Sequence, residues 1–182
     1  MELLIGTEEL ARRIALARSL GHKELLILLL RHDQNDARRL ASEFPDVQRG
    51  VFVTTVNQAA ALRKQYHAIV APCQRELIEC KAVTHVLNPE DATRADFLHH
   101  RNSGLNQVLL DLAKRNGISF ISTLQQLLLT NEPAVILGRM GQNARWCRKR
   151  NVPYLVASGA GTVWGQRSKS DLEALRRVLL SL

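Results

Sequence analysis

Four groups of residues carry types and spacings that could do chemistry. The first is Tyr154 to Leu175, YLVASGAGTVWGQRSKSDLEAL, where an apolar run leads into Ser158-Gly159-Ala160-Gly161, a Trp, Arg167 and a helix start. Strand, glycine turn and helix is how phosphate cradles are built. A P-loop also needs Lys-Ser/Thr opening the helix, and a dinucleotide loop needs a third glycine. Neither is present, so Gly159 reads as a structural turn at the carboxyl end of a strand. Ser170 with Glu173 three residues on reads as a capping box, and Asp171 in the first turn suits the helix dipole. Arg167 and Lys169 precede that helix, whose free N–H groups would share an anion with them. They are candidate phosphate contacts, weighed against plain solvated charges.

The second group lies on a long helix opened by Pro133. At about 100° per residue, Ile136, Met140, Ala144 and Cys147 share one face. Arg139, Arg145, Arg148, Lys149 and Arg150 occupy the rest, with no acidic residue from Ala134 to Asn151. Like charges so spaced cost helix stability, which points to an anionic partner. Cys147 reads as core, and Trp146 as either a base-stacking ring or a cover for a loop. The third group is HHRNSG, His99 to Gly104. Adjacent histidines diverge, and no His-x-His pair supports metal binding there, so Arg101 is its more useful residue. The fourth is the acidic set. Asp91 and Asp96 are loop candidates without an obvious partner, and Ser158-Gly159 is not a G-x-S-x-G elbow.

The totals agree with a binding role. Across 182 residues, Lys plus Arg number 25 and Asp plus Glu 17, a net charge of +8, which favours a polyanion such as nucleic acid. Aromatics are 4%, too few for a base-stacking platform, so phosphate and shape contacts are expected. Three scattered cysteines form no disulfide framework or C-x-x-C pair. The longest apolar stretch, ELLILLL, is far short of the roughly 18 residues of a membrane span. A cytoplasmic protein with no membrane contact is expected, its one domain spanning residues 1–182.

These groups need elements to hold them. Helical and strand-like runs alternate throughout, which implies parallel pairing through crossovers. Strands are expected near residues 24, 50, 68, 83, 118 and 153, with ELLI at the start as a candidate seventh. The segment 90–104 is the longest expected loop. Periodicity does not separate an open doubly wound sheet from a (β/α) barrel, but both gather function at the carboxyl ends of the strands.

Over about the last eighty residues the chain resembles ribonuclease P protein component 3, the 30-kDa-subunit family of archaea and eukaryotes. HRNSGLNQVLLDLAKRNGISF, STLQQLLL, ILGRMGQNARWCRKRNVPYLVASGA and RSKSDLEAL match family segments in order and spacing. Before residue 95 only the strand–helix rhythm agrees. The resemblance implies an α/β fold, a compact (β/α) TIM-like barrel, complete or not, of about seven mostly parallel strands. That barrel is related to a metal-phosphoesterase superfamily but lacks its metal ligands.

The resemblance also implies a non-catalytic, RNA-binding scaffold of ribonuclease P, which removes 5′ leaders from precursor tRNA. Its partners would be the ribonuclease P RNA, a small RRM-like subunit in a two-plus-two hetero-oligomer, and other ribonuclease P proteins. No cofactor is expected in this chain, since magnesium would sit on the RNA subunit. Arg101, Arg139 and Arg167 with Asp171 match family positions, and Arg145, Arg148, Lys149 and Lys169 join the expected RNA contacts.

The chain departs from the family at Gln107, commonly His, at Gln125, often basic, and at Gly165, usually Asp. The family's first strand, with its acidic residue, is reduced here to MELLI. Two other readings stand beside this one. One is a metal-dependent phosphoesterase using His99, His100 and Asp91; the other is a small-molecule-binding α/β protein using the Gly159–Gly161 turn.

Overall fold

A computed structural model describes residues 1–91, 95–96 and 101–181. Seven strands are present: β1 (Glu2–Ile5), β2 (Leu25–Leu29), β3 (Gln48–Phe52), β4 (Ala68–Ala71), β5 (His85–Leu87), β6 (Ser119–Thr123) and β7 (Tyr154–Ala157). They pair in chain order, each parallel to the next. The helices between them are α1 (Leu10–Ser19), α2 (Gln34–Glu43), α3 (Val56–Leu62), α4 (Arg75–Glu79), α5 (Gln107–Asn116), α6 (Leu124–Leu129) and α7 (Pro133–Arg150). A 3₁₀ turn (Val163–Gly165) and α8 (Lys169–Ser181) complete the chain.

Local chemistry explains most of the boundaries. Asp33, Thr55, Asn106 and Thr123 each accept backbone N–H groups at a helix start. Gly117 and Asn151 take the left-handed conformation that ends α5 and α7. All five β2 residues are buried because both faces are covered. Leu26 and Leu28 point into the barrel with Leu3, Ala68, Val70, Ile121 and Ala157. Leu25, Ile27 and Leu29 pack under the helices in the larger outer core.

The question left open by periodicity is settled at the line where β7 meets β1. Leu4 and Ala160 form a parallel bridge, and Ile5 N–H donates to Ala160 O at 3.3 Å. Side chains do the rest. Ser158 N–H donates to Glu2 Oε2 at 3.1 Å, and the fully buried Arg13 donates through Nη2 to Ala160 O. Gln166 Nε2 donates to Arg13 O at 3.0 Å, and Arg167 N–H donates to Ser158 Oγ at 2.9 Å. MELLI is therefore a full member of the barrel, and its acidic residue is part of the closure. Burial pushes the Glu2 carboxyl above its ordinary value, opposed by the Ser158 hydrogen bonds and by His22, 4.0 Å away.

Candidate nucleic-acid interface

α7 is the element that sorts the basic residues. Its inward face holds Ile136, Met140, Ala144 and Cys147, as the spacing predicts. The buried face is wider than that, because the loop after β5 lies over the first half of the helix. Arg139 is 5% exposed. Its Nε donates to Asp96 Oδ1 at 2.9 Å and its Nη1 to Glu90 O at 3.1 Å. Arg139 is thus a strut between α7 and the loop, not a surface cation, and the expectation that it meets RNA phosphate is corrected. Asp96, which had no obvious partner in the sequence, is its counter-ion and also lies 3.7 Å from Arg101.

Arg101 keeps a half-exposed side chain. Its guanidinium rests on the α7 backbone at Gly138, where a Cβ would come within 2.4 Å of Arg101 Cζ. The loop returns to the barrel through Gly104, at φ +79°, where a Cβ would meet Pro89 O at 1.9 Å. Only glycine permits both that backbone and that approach.

Beneath the loop is a buried polar knot. Glu90 Oε1 accepts from Ser122 Oγ at 2.7 Å, Asn143 Nδ2 at 3.0 Å and Tyr154 OH at 3.0 Å. Burial pushes the Glu90 carboxyl up, against the pull of those three donors. Burial also pushes the Cys73 and Cys147 thiols up to about 12, so both are unreactive packing residues.

The second half of α7 differs. Arg145, Arg148 and Lys149 are exposed, while Arg150 pairs with Asp111 at 2.6 Å. Arg148 and Arg176 of α8 line a groove of about 440 Å³ with Asn151 and Pro153. Arg176 also lines the adjoining hollow with Lys169, Glu173 and His22. The result is a basic strip running from α7 across α8, with Glu173 of Lys169's ion pair as its acidic member.

Arg167 is half-buried. Its Nη1 donates to Trp164 O and Gln166 O, and its carbonyl accepts from His22 Nε2 at 2.9 Å. Its backbone therefore fastens the barrel seam, while its guanidinium folds over its own turn. The cap of α8 is also corrected: Asp171 N–H donates to Ser168 Oγ at 3.1 Å, so Ser168, not Ser170, is the capping residue. Asp171 keeps its place in the first turn. Gly159 is required as expected, at φ +65° with Thr123 Cβ 2.5 Å from where its own Cβ would stand. His99 and His100 lie outside the described residues; among the described residues no group of three His, Cys, Asp or Glu could hold a metal ion.

Trp146 is partly buried against the core, while Trp164 is 83% exposed. Gly165 beside it stands against Gln125 of α6, whose Oε1 is 3.2 Å from the position of an added Cβ. Leu128 and Leu129, three and four residues further along α6, are also exposed. Sequence reasoning missed this apolar group, because LQQLLL reads as an ordinary short helix.

Comparison with known proteins adds to this geometry. The chain is 27% identical over 99 residues to ribonuclease P protein component 3 of Methanococcus vannielii, covering 53% of this chain and 40% of that protein. It is 34% identical over 91 residues to the Methanosarcina mazei protein of the same name, covering 47% and 38%. The chain is similar to ribonuclease P protein component 3 over about half of its length. The match spans about two fifths of the length of those relatives. No protein-family model matches the chain.

Among solved structures, a chain of archaeal ribonuclease P with mature tRNA, determined by cryo-electron microscopy, superposes with a TM-score of 0.78 at 20% identity. That match covers 98% of this chain and 83% of the other, and it bears out the TIM-like barrel. Two departures from the component 3 pattern, Gln125 and Gly165, prove to be spatial neighbours.

Proposed function

We propose that this chain is an RNA-binding scaffold of ribonuclease P. In this reading it supports a catalytic RNA that removes the 5′ leader from precursor tRNA, with the magnesium ions held by that RNA. The observation that carries the reading is the strip of exposed cations on α7 and α8 (Arg148, Lys149, Arg176 and Lys169), in a chain similar to component 3. Arg101, and Arg145 beside the strip, are further phosphate contacts. Trp164 with Leu128 and Leu129 is the docking patch for the small RRM-like subunit, within a two-plus-two assembly that meets the other ribonuclease P proteins. An exposed Trp and two exposed leucines suit a protein partner better than RNA backbone. The three cysteines are free, which suits a reducing cytoplasm. Among the described residues no helix is long and apolar enough to cross a membrane.

The test is reconstitution. Cleavage of precursor tRNA by the RNA subunit at low magnesium is measured with and without this chain and its partner, and a rise in rate is expected. An unchanged rate rejects the reading. RNA affinity should fall steeply between roughly 50 and 200 mM salt, because each neutralised phosphate releases counterions. Trp164→Ala should weaken association with the small subunit by about 2 kcal/mol or more, read by calorimetry, with the salt dependence of RNA binding unchanged.

A further inference from the structure

One concavity of the described molecule belongs to none of the features above. It measures about 750 Å³ and lies at the amino end of β3 and β4. Arg49, Arg63, Lys64 and His67 line it together with Gln48 and Gln65, and no carboxylate does. The site is built from two separate stretches of sequence: the start of β3, and the continuous run from the end of α3 into β4. Parallel register brings them together, since Gly50 pairs with Ala68.

Arg49 and His67 are held in place. Arg49 N–H donates to His67 Nδ1 at 3.2 Å, and His67 N–H donates to Arg49 O at 2.9 Å. With Nδ1 accepting, the neutral ring carries its proton on Nε2, so the exposed imidazole offers a further donor. Arg49 Nη1 is anchored on Ala37 O at 3.1 Å. Tyr66 forms the floor, 3% exposed, with its hydroxyl 2.9 Å from His32 Nδ1. Arg49, Arg63 and Lys64 interleaved with glutamines suit a sugar–phosphate chain, and Tyr66 lies too deep to stack a base.

Position adds the second half of the inference. In a ring of seven strands closed between β7 and β1, β3 and β4 are each three strands from β7. The concavity therefore lies across the ring from the strip on α7 and α8, and the two are separate surfaces. We propose that the concavity is a second RNA-backbone docking surface, and that the chain joins two RNA segments across the barrel. This rests on the ribonuclease P reading.

The test uses the full chain and ribonuclease P RNA, with affinity measured against salt and hydroxyl-radical footprints taken on the RNA. One double variant carries Arg63→Gln and Lys64→Gln, the other Arg148→Gln and Lys149→Gln. All four residues are exposed, and thermal melts check that each variant folds. Each pair should lower the log–log salt slope by about 1.8, at about 0.9 for every phosphate that is no longer neutralised. Each should uncover a different set of nucleotides. An unchanged slope and footprint in the Arg63/Lys64 variant, the result expected if an acidic polypeptide is the true occupant, overturns the proposal while leaving the ribonuclease P reading intact. So does exposure of the same nucleotides by both variants. A wild-type chain that does not bind this RNA overturns both.

Discussion

The two halves of α7 carry the same residue type and use it in opposite ways. Arg139, in the first half, is buried against Asp96 and Glu90 O. Arg148, in the second, is exposed along a groove. Nine residues apart at about 100° each, they stand on opposite sides of the helix, and those sides meet different surroundings. What differs is the covering. The loop after β5 lies across the first half and supplies a carboxylate and a carbonyl at the right height. A cation on a helix thus becomes a strut or a contact according to what the preceding strand's loop does.

Breaking the buried half should give the largest effect. Arg139→Leu leaves the Asp96 carboxylate with the Asn102 N–H at 2.8 Å and the more distant Arg101, and a stability loss of about 3 kcal/mol in urea denaturation is expected. Loss of RNA binding without loss of stability would return Arg139 to the surface. Glu90→Gln probes the knot beneath. Because burial raises the Glu90 carboxyl, its contribution is fully present below the ordinary carboxyl value and is lost as pH rises through the raised folded value. Gln does not titrate, so the variant should gain on the wild type as pH increases from acid towards neutrality. A gap that narrows with pH would mean that Glu90 is ionised and held by its three donors.

Ser168→Ala should cost about 1 kcal/mol as the loss of a true cap, and Ser170→Ala less than about 0.5. Equal costs would remove the corrected cap. The exposed half should give the smallest stability effect: Arg148→Gln with Lys149→Gln should stay within about 0.5 kcal/mol of wild type.

These contrasts mark where sequence was informative. The apolar runs place all seven strands, and β-branched and leucine-rich runs such as LLILL admit few other readings. Barrel closure was not legible, since it depends on Glu2, Arg13 and Gln166, residues spread from one end of the chain to the other. The α8 cap was ambiguous for a specific reason. Ser168–Asp171 and Ser170–Glu173 are overlapping capping patterns, and the choice falls to a tertiary bond, Lys169 N–H to Leu20 O at 3.0 Å. Arg139 looked like an RNA contact because its partner is 43 residues away. The cations at β3 and β4 went unnoticed because they form no run, and only strand register assembles them.

The seam between β7 and β1 has a consequence for how the molecule breathes. Elsewhere neighbouring strands share a backbone ladder of several bonds, but here one bridge and a handful of side chains hold the wall shut. The cylinder can unzip along that line into a curled sheet without parting any other pair of strands. In native-state hydrogen exchange, the amides of Ile5 and Ser158 should then report a sub-global opening well before those of Leu26 to Leu28 give up their protection.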